Sequence, residues 1–453
     1  MEHFDAIIIG FGKGGKTLAG SLAKAGKRVA MIEQSAKQYG GTCINIACIP
    51  TKSLAFQSEQ QANSSESKEA YYKESIQEKD QLTTALRENN FKMLNDQETV
   101  TVYTAKATFI DDKKIQLSSE TESLELSADK FFINTGSSPI IPPIDGIDET
   151  EYVYTSTTLQ DRDELPEKLI IIGGGYIGLE FASMYVNFGS EVTVIDSSEE
   201  FLPNDDRDIA SEVQKIFEGK GIKLQLASRV QSVKNIDGGV AVTYQKEDKT
   251  EKLTSSALLV ATGRKPNTEG LGLENTSIQQ DDKGAIVVDD YLKTDADHIW
   301  ALGDVNGGPQ FTYISLDDFR IVRDQLFGDG NYSKKERKNI PYSVFIEPVL
   351  SHVGLNEKTA KEEGIDYKVA SIPAAGVPYA RIIKQTDGLL KALIDPDTDV
   401  ILGCTLFCAG SHELINTVRI AMEAKLPYTR LKDNIFTHPS MSEALNNLFS
   451  SFD

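Results

Sequence analysis

The sequence predicts an α/β protein in which two similar strand–helix–strand units precede a smaller α+β region. Two observations carry this prediction. An apolar strand, a glycine-rich turn, an amphipathic helix and a second strand occur twice, at residues 6–33 and 170–196. Each unit later returns to an apolar strand that ends in Thr-Gly. With 453 residues, the chain has room for about three domains of roughly 150 residues each.

The glycine-rich turns both have the pattern G-x-G-x-x-G. Their glycines are Gly10, Gly12 and Gly15 in the first copy and Gly173, Gly175 and Gly178 in the second. An acid, Glu33 or Asp196, follows the first glycine by 23 residues in each copy (33 − 10 and 196 − 173). Such glycines let backbone N–H groups approach a pyrophosphate at a helix N-terminus, and the acid accepts hydrogen bonds from a ribose. Two copies in register favour two Rossmann-like dinucleotide-binding domains over turns that only pack a helix on a sheet.

The return strands end at Gly136 and Gly263. The first unit therefore spans 126 residues from its first glycine and the second spans 90 (136 − 10 and 263 − 173). The additional residues lie around 53–95, a polar stretch interpreted as exposed helices, with local disorder near 63–67 as the alternative. The predicted domains are residues 1–150, 151–266, a segment 267–339 that completes the first domain, and 340–453.

The composition is strongly acidic, with a net charge of −21. This charge disfavours nucleic acid and anionic membranes as partners. The N-terminus has no basic segment followed by an apolar run, so no secretory signal is predicted. Residues 169–189 are apolar enough for a membrane helix, but a strand, a turn and a helix fit them better. Four cysteines suit a protein of the reducing cytoplasm better than a disulfide-rich secreted one.

Two of the cysteines, Cys43 and Cys48, lie in the segment GGTCINIACIPTK. On a regular helix, positions five apart point about 140° apart, so the two sulfurs meet only if the helix start is distorted. The Gly40–Gly41 entry and Pro50 suit such a distortion. A redox pair is favoured over a structural disulfide, because structural disulfides are rare in the cytoplasm.

The remaining candidates for metal or catalytic chemistry receive structural interpretations. A zinc site would also need Cys404 and Cys408, but both lie in the apolar stretch VILGCTLFCAG, which indicates core positions. His412 lies at the start of a predicted helix, SHELIN, and is interpreted as a surface or interface histidine. No metal site is predicted.

The cofactors follow from the position of the cysteines in the first unit. A flavin reacts with thiolates, whereas a nicotinamide transfers only hydride, so FAD is predicted for the first unit, with Glu33 on its ribose. A nicotinamide nucleotide is predicted for the second unit. Asp196 is followed by Ser-Ser-Glu-Glu, so a 2′-phosphate would meet carboxylates there. NADH is therefore predicted, with NADPH as the alternative.

Motifs along the whole chain resemble those of the class I pyridine nucleotide–disulfide oxidoreductases. They are GGTCINIACIPTK, IIIGGGYIGLE, ATGRKPN, IWALGDV and HPSMSE. That family includes lipoamide dehydrogenase, glutathione reductase and mercuric reductase. The resemblance implies two Rossmann-like domains, a C-terminal α+β dimerisation domain, FAD, NAD(P)H and a homodimer.

The resemblance also implies roles for individual residues. The catalytic residues are Cys43, Cys48, Lys52, Glu180, His438 and Glu443. Lys52 and Glu180 are expected to pair beside the flavin, and the acid–base residue His438 is expected to act on cysteines of the other subunit. Asp304 is expected to hold the ribityl chain of the flavin, and Tyr176 to cover the nicotinamide pocket. Further cofactor-binding residues are Gly41, Thr42, Gly136, Gly303 and Gly263.

A narrower resemblance links the sequence to a reactive-chlorine-resistance branch of this family. It rests on INI…CIPTK, on residues 311–326 and on the ending FTHPSMSEALNNLF. The flavoenzymes of this branch are described as reducing hypothiocyanous acid and also copper(II). Ala47 departs from the family, which usually has glycine before the second cysteine. Its extra methyl group is expected to crowd the flavin side slightly.

The predicted reaction carries electrons from NADH, by way of FAD, to the cysteine disulfide. Cys43 then attacks hypothiocyanous acid or a related oxidised chlorine or thiol species, and Cys48 resolves the product. The alternatives are lipoamide dehydrogenase activity, a copper-reducing or copper-binding protein, and a redox sensor without turnover. The His438–Glu443 pair disfavours a sensor, because sensing needs no proton shuttle.

Overall fold

The computed structural model describes residues 1–119 and 123–452. The first unit consists of β1 (Glu2–Ile9), α1 (Lys13–Lys24), β2 (Val29–Glu33), α2 (Thr42–Asn45), α3 (Cys48–Gln60), α4 (Lys68–Asn95), β3 (Val100–Thr104), β4 (Lys106–Asp111), β5 (Lys114–Ser118), β6 (Ser123–Ile133) and β7 (Ser137–Pro139). The second unit consists of β8 (Val153–Thr155), β9 (Lys168–Ile172), α5 (Tyr176–Phe188), β10 (Glu191–Ile195), α6 (Arg207–Gly219), β11 (Lys223–Gln225), β12 (Ser228–Ile236), β13 (Gly239–Lys246), β14 (Lys249–Ser255), β15 (Ala257–Val260) and β16 (Arg264–Pro266).

The chain then returns to the first unit before it forms the C-terminal domain. The return elements are β17 (Ile299–Ala301) and α7 (Thr312–Phe327). The C-terminal domain consists of β18 (Tyr342–Val344), β19 (Leu350–Gly354), α8 (Glu357–Glu363), β20 (Lys368–Pro373), α9 (Pro378–Ile382), β21 (Leu389–Ile394), β22 (Ile401–Phe407), α10 (Ser411–Glu423), α11 (Thr429–Lys432) and α12 (Glu443–Ser450).

Both units are built on the same parallel core. In the first sheet β1 lies between β2 and β6, and β17 also pairs with β6. In the second sheet β9 lies in the same way between β10 and β15. The registers agree, because Ile8 pairs with Met31, and Ile171, which is 163 residues later, pairs with Val194. The two Rossmann-like units predicted from the repeat are confirmed.

The C-terminal domain has an antiparallel sheet with the order β18-β19-β22-β21-β20. Helices α10 and α12 contribute apolar side chains to the same core as β21 and β22. This arrangement is the predicted α+β domain. The exact boundaries at residues 150, 266 and 339 stay predictions, although the antiparallel pair β7 and β16 lies close to the second of them.

The polar stretch at 53–95 is helical, as predicted, since it contains most of α3 and all of α4. The connection at 63–67 ends in Ser67, whose side chain caps α4. The expectation that these helices are exposed is wrong for one face of α4. Tyr72 is fully buried and packs edge-on against Phe188 of the second unit, with 5.1 Å between ring centroids. A few apolar residues spaced four apart are enough for such a narrow stripe on an otherwise charged helix.

The apolar run at 169–189 forms β9, a turn and α5, as the sequence favours. Within the described residues, no helix is long and apolar enough to cross a membrane.

Candidate active site

A cavity of about 2030 Å³ is bordered by the first unit, the second unit and the C-terminal domain. Pockets for one small molecule usually measure about 300–1,000 Å³, so this cavity has room for more than one ligand. The predicted site residues that line it are Gly10, Gly12, Glu33, Gly41, Thr42, Cys43, Cys48, Lys52, Gly136, Tyr176, Glu180 and Asp304. Those that do not line it are Gly15, Gly173, Gly175, Gly178, Asp196, Gly263, Gly303, His438 and Glu443.

The third glycine of each G-x-G-x-x-G turn, here called a fingerprint together with the acid that follows it, permits close packing between helix and strand. A Cβ added at Gly15 would lie 2.8 Å from the Gly10 carbonyl oxygen. A Cβ added at Gly178 would lie 2.0 Å from the Gly173 carbonyl oxygen. Because contacts this short exclude any side chain, glycine is required at both equivalent positions.

The acid of each fingerprint is fixed by the backbone of its own glycine turn. Glu33 accepts a hydrogen bond from the Phe11 N–H at 3.1 Å. Asp196 accepts one from the Gly174 N–H, the equivalent position, and another from the Ser198 N–H at 2.7 Å. Burial raises the pKa of Glu33. Both acids are therefore held beside the N-terminus of a helix, where a dinucleotide presents its ribose.

The two helix starts fit a dinucleotide. Helices α1 and α5 begin after Gly12 and Gly175, which have no capping side chain, although the Gly14 and Gly15 N–H groups of α1 donate to the side chains of Ser315 and Asn134. The N–H groups at the start of α5, and those that precede Gly14 in α1, are thus available to a pyrophosphate. A Cβ added at Gly175 would meet no atom within 4 Å, which leaves space beside the start of α5. In the first unit, Glu33 and Asp304 line the cavity, and their roles on the ribose and the ribityl chain of FAD stay predictions.

Asp304 is positioned by a buried ion pair. It accepts a hydrogen bond from the Ser137 hydroxyl at 2.7 Å, and the neighbouring Gly303 N–H donates to Asp318 at 2.7 Å. Asp318 is fully buried and pairs with Arg337 at 2.5 Å. Sequence reasoning missed both supporting residues. The only signal was the doubled aspartate in FTYISLDDF, which an exposed helix would carry as well.

The cysteine segment is broken between the two sulfurs. Cys43 lies in α2 and Cys48 begins α3, with Ile46 and Ala47 outside both helices. The break is the distortion that the sequence predicts, and Pro50 lies just after it in the first turn of α3, where a missing N–H is tolerated. Ala47 has a φ of −118°, so its backbone does not lie in the left-handed region that favours glycine.

The two cysteines are free thiols whose pKa values are shifted in opposite directions. A hydrogen bond from Cys43, together with Thr312 and the charge of Lys52, outweighs burial and lowers the pKa of Cys48 to about 6. The same hydrogen bond and burial raise the pKa of Cys43. The Thr312 hydroxyl lies 3.3 Å from the Cys48 sulfur. Cys48 is therefore the thiolate of the pair near neutral pH. Thr312 lies within residues 311–326, which support the narrower resemblance, but the sequence analysis predicts no role for it.

A buried lysine supports the cysteine segment. Lys16 of α1 is 5% exposed and donates to the Gly40 carbonyl at 3.2 Å and to the Asn90 side chain at 2.5 Å. Burial lowers the pKa of Lys16 to about 8. Its charge lowers the pKa of Cys43, against the larger effects that raise it. Sequence reasoning missed this residue, although a lysine next to Gly15 on the packed side of α1 was a usable signal.

Lys52 and Glu180 form an ion pair between α3 and α5, with 2.6 Å between Nζ and Oε2. The other Glu180 oxygen accepts a hydrogen bond from the Phe345 N–H at 2.9 Å. The Lys52 ammonium also lies 4.8 Å from the centre of the Phe345 ring. The largely buried carboxylate thus has the partner that its apolar helix requires. The catalytic role of the pair stays a prediction.

His438 and Glu443 form a hydrogen-bonded pair at the start of α12, with 2.9 Å between Nδ1 and Oε1. Glu443 also accepts a hydrogen bond from the Ser440 N–H at 3.0 Å. The bond to His438, followed by the backbone bond, lowers the pKa of Glu443. The His438 side chain is 72% exposed and does not line the cavity of its own chain. Its predicted action on a second chain is compatible with this exposure and stays a prediction.

The other two cysteines and His412 differ in their surroundings. Cys404 and Cys408 are buried in the C-terminal core, as predicted, and burial raises the pKa of both thiols. His412 is the second residue of α10, so it lies at a helix start as predicted. It also lines the cavity and packs against Phe345, with 5.3 Å between ring centroids. Its Nδ1 atom is buried without a hydrogen-bond partner. Among the described side chains, no group of three or more His, Cys, Asp or Glu is placed to hold a metal ion.

Comparison with known protein families identifies the family to which the chain belongs. Residues 4–318 match the family described as pyridine nucleotide-disulphide oxidoreductase, and residues 340–449 match its dimerisation domain. The chain belongs to the pyridine nucleotide-disulfide oxidoreductase family. It is therefore an NAD(P)H-dependent flavoprotein oxidoreductase with FAD and a pyridine nucleotide as cofactors. The dimerisation domain suggests a homodimer.

Individual relatives narrow the comparison. The chain is 49% identical over 450 residues to the probable pyridine nucleotide-disulfide oxidoreductase RclA of Escherichia coli (strain K12), with 99% of both chains covered. A solved structure described as the Cu(II) complex of HOCl-induced flavoprotein disulfide reductase RclA from Escherichia coli has a TM-score of 0.95, 48% identity and 99% coverage of both chains. A mercuric reductase of Lysinibacillus sphaericus is 32% identical over 461 residues, which cover 100% of this chain and 83% of that protein.

Proposed function

We propose that the protein is a cytoplasmic, homodimeric enzyme that uses NADH to reduce hypothiocyanous acid or a related oxidised chlorine or thiol species. The observation that carries this proposal is that the thiols of Cys43 and Cys48 line one cavity together with the Lys52–Glu180 ion pair. A thiolate next to a second thiol is the arrangement required for disulfide exchange with an electrophilic sulfur. Support for the substrate class comes from the RclA relative, which is described as HOCl-induced.

Residues that line the cavity are proposed to bind the cofactor and to stabilise charge during electron transfer. Glu33 and Asp304 would hold FAD, which would supply the transfer of an electron pair from a nicotinamide to the disulfide of Cys43 and Cys48. Lys52 stabilises negative charge that develops in the cavity, and its ion pair with Glu180 fixes the position of its ammonium group.

The sulfur chemistry is assigned to the cysteines. The Cys43 thiolate attacks the sulfur of hypothiocyanous acid and displaces hydroxide, which leaves as water after protonation. The Cys48 thiolate then attacks the Cys43 sulfur, releases thiocyanate and closes the disulfide. Two electrons pass from the two thiols to the substrate sulfur. His438 of a second chain accepts the Cys43 proton and returns it to the hydroxide, while Glu443 orients the imidazole.

NADH is proposed over NADPH on the surroundings of Asp196. This acid accepts two backbone hydrogen bonds, and Glu199 and Glu200 follow it after two serines. The nearest arginine in sequence, Arg207, donates to the Phe201 carbonyl at 3.0 Å and pairs with Glu200 at 3.5 Å. A 2′-phosphate at Asp196 would therefore meet the neighbouring carboxylates, and Arg207 is already bound.

Copper(II) reduction is a second candidate, favoured by the Cu(II) complex of the RclA relative. Two thiolates would give one electron to each of two copper(II) ions and join as a disulfide. The described side chains contain no cluster of three or more metal ligands, so copper is proposed as a substrate at the thiol pair and not as a resident ion.

Steady-state oxidation of NADH tests the proposal. The wild-type enzyme should oxidise NADH with hypothiocyanous acid and release one thiocyanate per NADH, and Cys43→Ser should abolish this activity. Cys404→Ala is the matched control, since Cys404 lies in the C-terminal core, and it should retain turnover.

The other substrates separate the candidates. Turnover with copper(II) but not with hypothiocyanous acid would select copper reduction. Rapid NADH formation from dihydrolipoamide and NAD⁺ would overturn both candidates in favour of lipoamide dehydrogenase activity.

A further inference from the structure

Tyr176, the first residue of α5, is held by a side chain from another domain. Its ring stacks on that of Tyr342, with 5.3 Å between centroids and 25° between planes. Its hydroxyl donates to the Tyr342 hydroxyl at 3.0 Å. Tyr342 begins β18 of the C-terminal domain and packs on its other side against His352, with 5.4 Å between ring centroids. The stack therefore joins the second unit to the C-terminal sheet.

A buried carboxylate completes this contact. Asp205, which precedes α6, is 4% exposed. Its Oδ2 lies 3.4 Å from the Tyr176 hydroxyl and its Oδ1 lies 3.5 Å from the Tyr342 hydroxyl. Burial raises the pKa of both phenols, that of Tyr176 to about 12, so both remain proton donors near neutral pH. One proton per hydroxyl then suffices for a chain in which Tyr176 donates to Tyr342 and Tyr342 donates to Asp205.

The cations near Asp205 are directed elsewhere. Arg207 donates to backbone carbonyls, including that of Asp205 itself at 2.7 Å. Lys391 is bound to Asp206 at 3.0 Å and to Asp208 at 2.9 Å. The phenols are thus the side-chain hydrogen-bond donors that reach the Asp205 carboxylate among the described residues.

We propose that Tyr342 and Asp205 form a clasp on Tyr176, the residue predicted to cover the nicotinamide pocket, and that the strength of this clasp limits nicotinamide binding. The inference rests on the proposed function, since it takes the second unit as the NADH site. Tyr176 lines the cavity together with Lys52 and Glu180, and it lies one residue after Gly175 in the sequence. Nicotinamide affinity is therefore reduced by the free energy needed to open the clasp.

Two ligands separate the clasp from the rest of the nucleotide site. NAD⁺ carries the nicotinamide, whereas ADP-ribose has the same adenosine and pyrophosphate without it. Binding of each to the oxidised holoenzyme is measured by calorimetry, with no turnover. Tyr342→Phe keeps the stacked ring but removes the donor, and Asp205→Asn weakens the acceptor. Both variants should bind NAD⁺ about 3- to 10-fold more tightly, with unchanged affinity for ADP-ribose.

A background variant makes the test specific to the hydroxyl chain. In Tyr176→Phe, which already lacks the first donor, adding Tyr342→Phe should change NAD⁺ affinity less than it does in the wild type. Unchanged NAD⁺ affinity in the single variants, or equal changes for both ligands, would overturn the clasp. Weaker NAD⁺ binding would also overturn it, because Tyr342 would then contact the nicotinamide directly. A wild-type enzyme that binds neither ligand would instead overturn the NADH site on which the proposed function depends.

Discussion

At the residue scale, the two cysteines have different surroundings and therefore different tasks. Cys48 is stabilised as a thiolate by Cys43, by Thr312 and by the charge of Lys52. Cys43 has a raised pKa, and the charge of Lys16 only partly opposes that rise. Cys43 thus needs an external base before it attacks a substrate, whereas Cys48 is ionised without one. This difference is what gives the exposed His438–Glu443 pair a function in the proposed reaction.

The ionisation of Cys48 predicts that its rate of alkylation depends on pH. Its pKa is lowered to about 6, against about 8.5 for an ordinary cysteine. The thiolate therefore predominates above this value and is lost as the pH falls through it. In the reduced enzyme, the alkylation rate of the Cys48 peptide, followed by mass spectrometry, should rise with a midpoint near pH 6. Thr312→Val should raise that midpoint by about one pH unit.

Thr312→Ser is the matched control for this titration, because it retains the hydroxyl. Its midpoint should stay at the wild-type value. A wild-type midpoint at the value of an ordinary cysteine would contradict the assignment of Cys48 as the thiolate.

Substitutions in the Lys52–Glu180 pair test its contributions to stability and to catalysis separately. Lys52→Met leaves a largely buried carboxylate without its cation and should lower the free energy of unfolding by about 1–3 kcal/mol. Glu180→Gln in the same chain removes the unpaired charge and should restore most of that loss, as measured by denaturant unfolding. Turnover should stay reduced about 100-fold in the double variant, because the ammonium group is still missing. Full recovery of turnover together with stability would show a purely structural pair.

At the element scale, the strands, helices and glycine turns of both units could be predicted because the repeat fixes them twice. The position of the break between α2 and α3 could not. It depends on the backbone at Ile46 and Ala47, and neither residue has a strong preference against helix. The buried face of α4 was also missed, since burial of Tyr72 is decided by the second unit, which lies more than a hundred residues away in sequence.

Two alanine substitutions test the second fingerprint as an element. Gly178→Ala places a methyl group against the Gly173 carbonyl and should lower the free energy of unfolding by about 1–3 kcal/mol. Gly175→Ala points its methyl group into open space and should leave unfolding unchanged. It should nevertheless weaken NAD⁺ binding, because the methyl group occupies the approach of the pyrophosphate. Wild-type NAD⁺ affinity in Gly175→Ala would contradict a nucleotide site at this turn.

At the scale of the whole molecule, the cavity gathers groups that lie far apart in the sequence. The sequence motifs predicted the cysteines, the ion pair and the glycine turns of this cavity. Thr312, Asp205 and Tyr342 were not assigned a role, because only tertiary packing brings Thr312 to Cys48 and Tyr342 to Tyr176. A threonine, an aspartate or a tyrosine carries no signal of this kind when it stands alone in a sequence.

The proposed homodimer predicts complementation between subunits. Enzymes with Cys43→Ser in both chains, or with His438→Ala in both chains, should be nearly inactive. Mixing and refolding the two should produce heterodimers with one intact site, and about a quarter of wild-type turnover from random pairing. Recovered turnover is measured with NADH and hypothiocyanous acid. No recovery in heterodimers verified by mass spectrometry would place His438 on its own chain or outside the reaction.

Alkylation mapping after a single oxidation tests the central claim most directly. The enzyme is reduced with NADH without oxygen, treated with one equivalent of hypothiocyanous acid, denatured and alkylated. Cys43 and Cys48 should be alkylated before the oxidant and joined as a disulfide after it, with one thiocyanate released, while Cys404 and Cys408 are alkylated throughout. Oxidation of the NADH-reduced enzyme that leaves Cys43 and Cys48 fully alkylated would contradict electron transfer through this pair.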